Sequence, residues 1–250
     1  MQKRMAIDIL PQPDETTCGP TCLHAIYNYY NDDIPLEQLI QEIRRLRNGG
    51  TLAVFLACHA LQRGFSATMY TYNLEMFDPT WFDEEVSVPD IRARLNKQRL
   101  AKGTLAITAA TEGYDEFLGR GGRLKFEDLS PHLIRRYLKR GVPILTGLSA
   151  TYLYRTAREY GSRSEYDEFR GNPTGHFVVL GGYRVQSRSV LIIDPLHPNP
   201  MAPGQYYEIN IDRVIGAILL GVLTHDANLL VIEPARQVPS QPHVRIHSRQ

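Results

Sequence analysis

A chain of 250 residues has room for one sizeable core or two small ones. With 43% hydrophobic and 22% charged residues it has the composition of an ordinary soluble globular protein. Its 28 basic and 27 acidic residues leave a net charge of +1, so charge gives no argument for nucleic acid or an anionic membrane as partner, although a small local patch remains open.

The N-terminus begins basic, but the apolar stretch Ala6 to Leu10 is broken by Asp8 and stops at Pro11. A secretory signal needs a longer apolar core, so none is expected. Residues 11–17 are loop-forming by composition. A helix follows, with Pro20 in its first turn and Leu23, Ile26, Tyr27 and Tyr30 at helical spacing. Asp33 is the expected N-cap of a second helix, with Pro35 in its first turn and Leu36, Leu39, Ile40, Ile43 and Leu46 on its apolar face. It ends at Asn48-Gly49-Gly50. Thr51 is then the expected cap of a third helix running to Arg63 and stopping at Gly64.

Phe65 to Tyr72 alternates as a strand. Residues 73–128 are read as an inserted or divergent segment, with a helix over Pro89–Ala101, an apolar piece at Leu105–Ala109 and a Gly-rich turn at 119–122. Leu129–Arg140 reads as a helix, and Gly141-Val142-Pro143 leads into a strand through Leu148. His176–Tyr183 and Ser189–Ile193 are expected as adjacent antiparallel strands, with two more at Tyr206–Ile211 and Leu229–Ile232. Val214–Leu223 is apolar but about half the length of a membrane span, and reads as a buried helix or strand. Helices first and an antiparallel sheet afterwards give the α+β class. One domain is expected over residues 1–236, with a loose tail at 237–250.

Three cysteines stand at 18, 22 and 58, with no second pair and no close His pair to complete a zinc site, so neither metal nor cofactor is expected. Without a secretion signal the expected location is the cytoplasm, with reduced thiols. Cys18 lies where loop turns into helix, where free N–H groups and the macrodipole favour a thiolate. Gly19 is read as permitting close approach of a substrate. Gln12, six positions earlier, is within reach to place a carboxamide donor above the sulfur, beside the Cys18 N–H. A thiol nucleophile needs a base. His176 opens the apolar strand Phe177–Leu180, and Asp194 closes the next strand 18 positions on, where an antiparallel turn brings a carboxylate beside the imidazole.

Gln12, Cys18-Gly19, His176-Phe177 and Asp194-Pro195 together resemble the bacteriocin-processing, double-glycine-leader cysteine peptidases and their stand-alone relatives, within the papain-like superfold. The resemblance covers roughly residues 10–65 and 130–200. It implies a papain-like fold with N-terminal helices packed on an antiparallel sheet. It also implies an oxyanion donor in Gln12, a nucleophile in Cys18, a base in His176 and an orienting carboxylate in Asp194. Cys18 and His176 are 158 residues apart, about twice the separation associated with that family, and no phosphate-loop motif occurs. Preference for a double-glycine site is therefore not implied. Association of some relatives with ATP-grasp amino-acid ligases suggests a peptide or isopeptide substrate.

The function expected is cleavage of a peptide or isopeptide bond through a thioester. Amide or γ-glutamyl acyl transfer on the same superfold, and peptide binding without cleavage, stay open beside it. Cys22, one helical turn beyond Cys18, and Cys58, mid-helix, are read as core. His24, His59 and His132 fall on helices and His197 in a Pro-rich loop, none with a partner suggested by sequence. Arg44-Arg45-Leu46-Arg47 and Arg135–Arg140 read as solvated helix faces. Tyr152, Tyr154, Tyr160 and Tyr166, just before His176, form either a substrate rim or a surface hairpin or short helix.

Overall fold

The computed structural model describes residues 2–47, 49–82, 87–161, 163–224 and 227–235. In chain order these form β1 (Gln2–Arg4), α1 (Cys18–Tyr29), α2 (Leu36–Glu42), α3 (Ala53–Gln62), β2 (Phe65–Thr71), α4 (Val88–Lys102) and α5 (Leu105–Gly119). Then come β3 (Arg123–Lys125), α6 (Pro131–Arg140), β4 (Ile144–Ser149), α7 (Ala150–Tyr154), β5 (Glu159–Tyr160) and β6 (Glu165–Tyr166). Last are β7 (Gly175–Arg184), β8 (Ser189–Ile193), β9 (Tyr206–Asn210), α8 (Ile211–Leu220) and β10 (Asn228–Pro234). The class is α+β. The expected tail at 237–250 lies outside the described residues.

One eight-stranded sheet organises the chain, in the order β3-β2-β10-β4-β7-β8-β9, with β1 added along the far half of β7. Every pairing in it is antiparallel except β2 with β3. The central strands β4, β7 and β8 are near-continuous apolar runs buried along their length, because helices cover both faces. Helix α1 packs on β7, α3 on β2 and β10, α6 on β7 and β4, and α8 on β4.

Local chemistry sets the helix boundaries. Ser87 accepts the Asp90 N–H while the Asp90 carboxylate accepts the Ser87 N–H, a capping box that starts α4 with Pro89 in its first turn. Ser130 caps α6 by accepting the Leu133 N–H, with Pro131 at the first helical position.

Several boundaries differ from the sequence reading. Helix α2 stops at Glu42, Ile43 is extended, and Pro35 rather than Asp33 occupies the N-cap. The Asp32 carboxylate is instead paired with Arg63 at the end of α3, with Nε to Oδ2 at 2.8 Å. The Arg44–Arg47 stretch is thus a loop, not a helix face. Thr51 does not cap α3; its hydroxyl donates to the Arg44 carbonyl at 2.9 Å, and α3 starts at Ala53.

The apolar piece at Leu105 is the first turn of a 15-residue helix, α5. Helices α4 and α5 are joined by a bidentate Arg92–Asp115 pair at 2.7 and 2.9 Å. Gly113 lets α5 lie against α3, since a Cβ there would stand 2.7 Å from Phe55 and Val54 side-chain atoms.

Candidate active site

Cys18 is the first residue of α1, where helix geometry begins after Thr17. The preceding loop is tied by its own polar groups. The Asp14 carboxylate accepts the Thr16 N–H and hydroxyl, and the Thr17 hydroxyl donates to the Asp14 carbonyl. Thr21 N–H closes the first helical bond on the Thr17 carbonyl. Among the described residues the Cys18 N–H has no acceptor, as expected for the first position of a helix.

Gly19 seats this turn against the rest of the fold. A Cβ at this position would come within 2.8 Å of Thr51, 3.1 Å of Phe177 and 3.2 Å of Leu56. The glycine therefore serves close packing of α1 on β7 and α3, not the approach of a substrate. Cys22, one turn on, is fully buried, and its thiol donates to the Phe177 carbonyl at 3.3 Å. Burial pushes its thiol up, with the neighbouring Cys18 and Asp194 adding to the shift. Cys58 is also packed in the core, its thiol 3.5 Å from the Gly113 carbonyl.

His176 and Asp194 meet as their strands predict. Strands β7 and β8 run antiparallel, and the register Val179↔Ile193 sets the start of one beside the end of the other. A bulge at Gly181 shifts the pairing by one residue between that end of the hairpin and its turn; a Cβ there would lie 2.3 Å from Ile193 Cδ1. The His176 Nε2–H donates to Asp194 Oδ1 at 2.8 Å. The Cys18 sulfur lies near enough to the same imidazole to act on its charge. With Nε2 engaged by the carboxylate, Nδ1 is the nitrogen left for sulfur.

Asp194 is completely buried, which alone would raise its pKa, yet it is held ionised, with a pKa of about 2. The opposing causes are the His176 charge and hydrogen bonds from His176, Tyr207 and the Leu196 N–H. Four donors converge on the carboxylate. Oδ1 accepts His176 Nε2–H and the Leu196 N–H at 2.9 Å, while Oδ2 accepts the hydroxyls of Tyr154 at 2.8 Å and Tyr207 at 2.6 Å. For His176 burial works against the charged form, but the Asp194 carboxylate and the Cys18 sulfur outweigh it and push the imidazole up to about 10. The buried pair is an imidazolium–carboxylate whose remaining lone pairs are satisfied, the condition under which such a pair is tolerated.

Gln12 joins the group from the loop. Its N–H donates to the Pro195 carbonyl at 2.9 Å, tying the loop to the residue after Asp194. One Nε2 proton goes to the Asp14 carbonyl at 2.9 Å, leaving the second. Gln12 and His176 both line an open cleft of about 570 Å³, with Glu15, Tyr154, Glu159, Tyr166 and Pro198 among its other walls. A more apolar cavity of about 500 Å³ lies apart, between α3 and α5, and touches none of Gln12, Cys18, His176 or Asp194.

The four residues singled out in the sequence are therefore brought together. The tyrosines divide. Tyr154 turns down to Asp194, its ring centroid 6.1 Å from that of His176. Tyr160 and Tyr166 sit on the small β5–β6 hairpin, and Tyr166 lines the cleft. Tyr207 escaped the sequence reading; its alternation with Ile209 in β9 marks it as core-facing, but only the β8–β9 register brings it to Asp194. His197 makes no bond to Asp194. His59 has partners that the sequence did not suggest: Tyr27 Oη at 2.8 Å and Glu42 Oε2 at 2.9 Å, a buried strut joining α1, α2 and α3. Among the described residues no cluster of His, Cys, Asp and Glu could hold a metal ion, and no helix is long and apolar enough to cross a membrane.

Residues 6–98 match the model of the peptidase C39 family, a stretch that contains Gln12 and Cys18. No curated protein sequence matches the chain. Among solved structures, it is similar to a double glycine motif protease from an AMS/PCAT transporter in complex with the leader peptide. That match has 15% identity, covers 94% of this chain and 99% of the other, and has a TM-score of 0.45. It is similar as well to the peptidase domain of Streptococcus ComA, a bi-functional ABC transporter involved in quorum sensing, with 13% identity, 92% and 99% coverage and a TM-score of 0.43. Xylellain, a cysteine protease from Xylella fastidiosa, shares 12% identity over 94% of this chain and 86% of its own, with a TM-score of 0.45. Over the segment that carries its helix-borne thiol, the chain is similar to the peptidase C39 family.

Proposed function

We propose that the protein cleaves a peptide or isopeptide bond through a thioester on Cys18. The observation that carries this reading is the buried His176–Asp194 pair at 2.8 Å, with the Cys18 sulfur, at the start of α1, acting on the same ring. In the proposed cycle the proton shared by Cys18 and His176 rests on His176 Nδ1, and the Cys18 thiolate bonds to the carbonyl carbon. The Cys18 N–H and the second Nε2 proton of Gln12 receive the developing oxyanion. His176 then gives its proton to the leaving amine as the C–N bond breaks. Water attacks the thioester, His176 accepts its proton, and the S–C bond opens to restore the thiolate beside the imidazolium. Asp194 stays ionised throughout and holds the ring.

The complete set of thiol, imidazole, carboxylate and carboxamide favours an enzyme over a peptide-binding module. The partner proposed is a peptide or protein, since the cleft is open and one similar structure was determined with a leader peptide. Service beside an ATP-grasp ligase fits an isopeptide substrate. Three free cysteines fit a reducing, cytoplasmic setting. Residues 73–128 are proposed as an inserted or divergent segment of one peptidase-like domain over 1–236, with α5 packed on α3.

The test is to quench the protein in acid during turnover of a peptide mixture and map the adduct by mass spectrometry. An acyl group on Cys18, absent in His176→Ala, is the expected result; turnover without a Cys18 adduct contradicts it. Product carrying an added amine in preference to water would assign acyl transfer instead.

A further inference from the structure

A carboxylate buried completely beside an imidazole has two stable states, charged and paired or protonated and neutral. Which state it holds depends on the other groups that reach it. Around Asp194 the titratable groups are His176 from β7, Tyr154 from α7, Tyr207 from β9, and the more distant thiols of Cys18 and Cys22 from α1. Oδ1 is shared between His176 and the Leu196 N–H. Oδ2 receives nothing from the backbone; its two donors are the phenols of Tyr154 and Tyr207.

We propose that Tyr154 and Tyr207 are positioning residues that hold Asp194 as the anion and fix the plane of its carboxylate against His176. This rests on the acyl-transfer reading only in what the pair is for. The hydrogen-bond geometry stands without it. Both phenols are shifted to higher pKa by burial first and by the Asp194 charge next, so they remain protonated donors across the range in which a thiol enzyme works. The two approach from different elements, a short helix on one side and the neighbouring strand on the other, so rotation of the carboxylate about its Cβ–Cγ bond breaks at least one bond whichever way it turns.

Tyr154 has a second relation to the site. Its ring lies beside that of His176, and it is the last residue of α7, after which the chain enters the hairpin that walls the cleft. Helix α7 is held by Ser149, which accepts the Tyr152 N–H, and by Arg213, which donates to the Leu153 carbonyl. The backbone that carries the phenol is thus tied at Tyr152 and Leu153.

The experiment uses the full chain with ¹³C-carboxyl aspartate, the Asp194 signal being assigned by its loss in Asp194→Asn. Tyr154→Phe, Tyr207→Phe and the double variant keep the rings and remove only the hydroxyls. The expected result is a rise of the Asp194 midpoint by about one pH unit for each hydroxyl lost. The acid limb of Cys18 alkylation by iodoacetamide should move upward with it. On the Asp194→Asn background the same Phe substitutions should leave the ¹⁵N titration of His176 unchanged, because no anion remains to be held. A role in packing alone would lower the melting temperature and leave all three titrations in place, and that result overturns the proposal. Tyr154 is half-buried, so Tyr154→Phe reads the effect even if Tyr207→Phe folds poorly. Slow, pH-independent alkylation of Cys18 in the unaltered protein would sink the acyl-transfer reading, while the carboxylate midpoint would still decide the role of the phenols.

Discussion

At the scale of residues, the site is governed by how one buried charge is compensated. Asp194 is held at about 2 despite complete burial, and His176 is pushed up to about 10 by the carboxylate and the neighbouring sulfur against the opposing effect of burial. The two shifts have opposite pH signatures. The raised imidazole stabilises the fold fully below its ordinary value of 6.5 and loses that contribution as pH rises through about 10. The lowered carboxylate contributes fully above its ordinary value of 3.8 and loses that contribution as pH falls through about 2. The pair is therefore at full strength between roughly pH 4 and 6.5. The urea midpoint of the unaltered protein minus that of Asp194→Asn should be largest in that window and shrink toward both ends. A difference independent of pH would mean the pair is not ionised. Sequence carried this site well because its four members lie in short local words: Gln12 to Cys18 within one loop and helix start, His176 to Asp194 within one hairpin. Tyr154 and Tyr207 were illegible as partners of Asp194, since a tyrosine in a strand or short helix says nothing of which carboxylate it meets.

At the scale of elements, α1 must approach β7 closely enough for sulfur to meet imidazole, and Gly19 sets that approach. Gly19→Ala would force Thr51, Phe177 or Leu56 to give way. The expected cost is about 1–3 kcal/mol of stability in urea unfolding. A fall in Cys18 alkylation rate should accompany it, because the helix start moves away from β7. Full stability together with full reactivity would contradict the packing role. Ser130→Ala, which removes the cap of α6 far from the cleft, should cost about 1 kcal/mol and leave Cys18 reactivity unchanged. Helices with caps or strong periodicity in the sequence, such as α1, α4 and α6, could be read before any fold was known. Helix α5 could not, because Gly113 and the threonines at 108 and 111 blur its pattern, and it is held by burial against Phe55 and Val54. Helix α2 was read too long for the converse reason: Ile43 and Leu46 keep the helical spacing, but the chain extends at Ile43.

At the scale of the whole molecule, the sheet is closed by its last strand. Strand β10 inserts between β2 and β4, so residues from the C-terminal end bind the helical first quarter to the strands that carry His176 and Asp194. The apolar run of β10 was legible in the sequence, but its neighbours were not, because they depend on pairings across eighty residues or more. Hydrogen exchange should find the amides of β4, β7 and β10 the slowest in the molecule, and those of the exposed β5–β6 hairpin far faster. Equal protection would mean that the hairpin is part of the folding core. The central claim, that this scaffold exists to poise one thiol, is tested most directly by the rate at which iodoacetamide modifies each cysteine at neutral pH, read by peptide mapping. Cys18 should react much faster than buried Cys22 and Cys58, and His176→Ala should slow it by at least about tenfold. Equal, slow modification of all three, unaltered by His176→Ala, would contradict it.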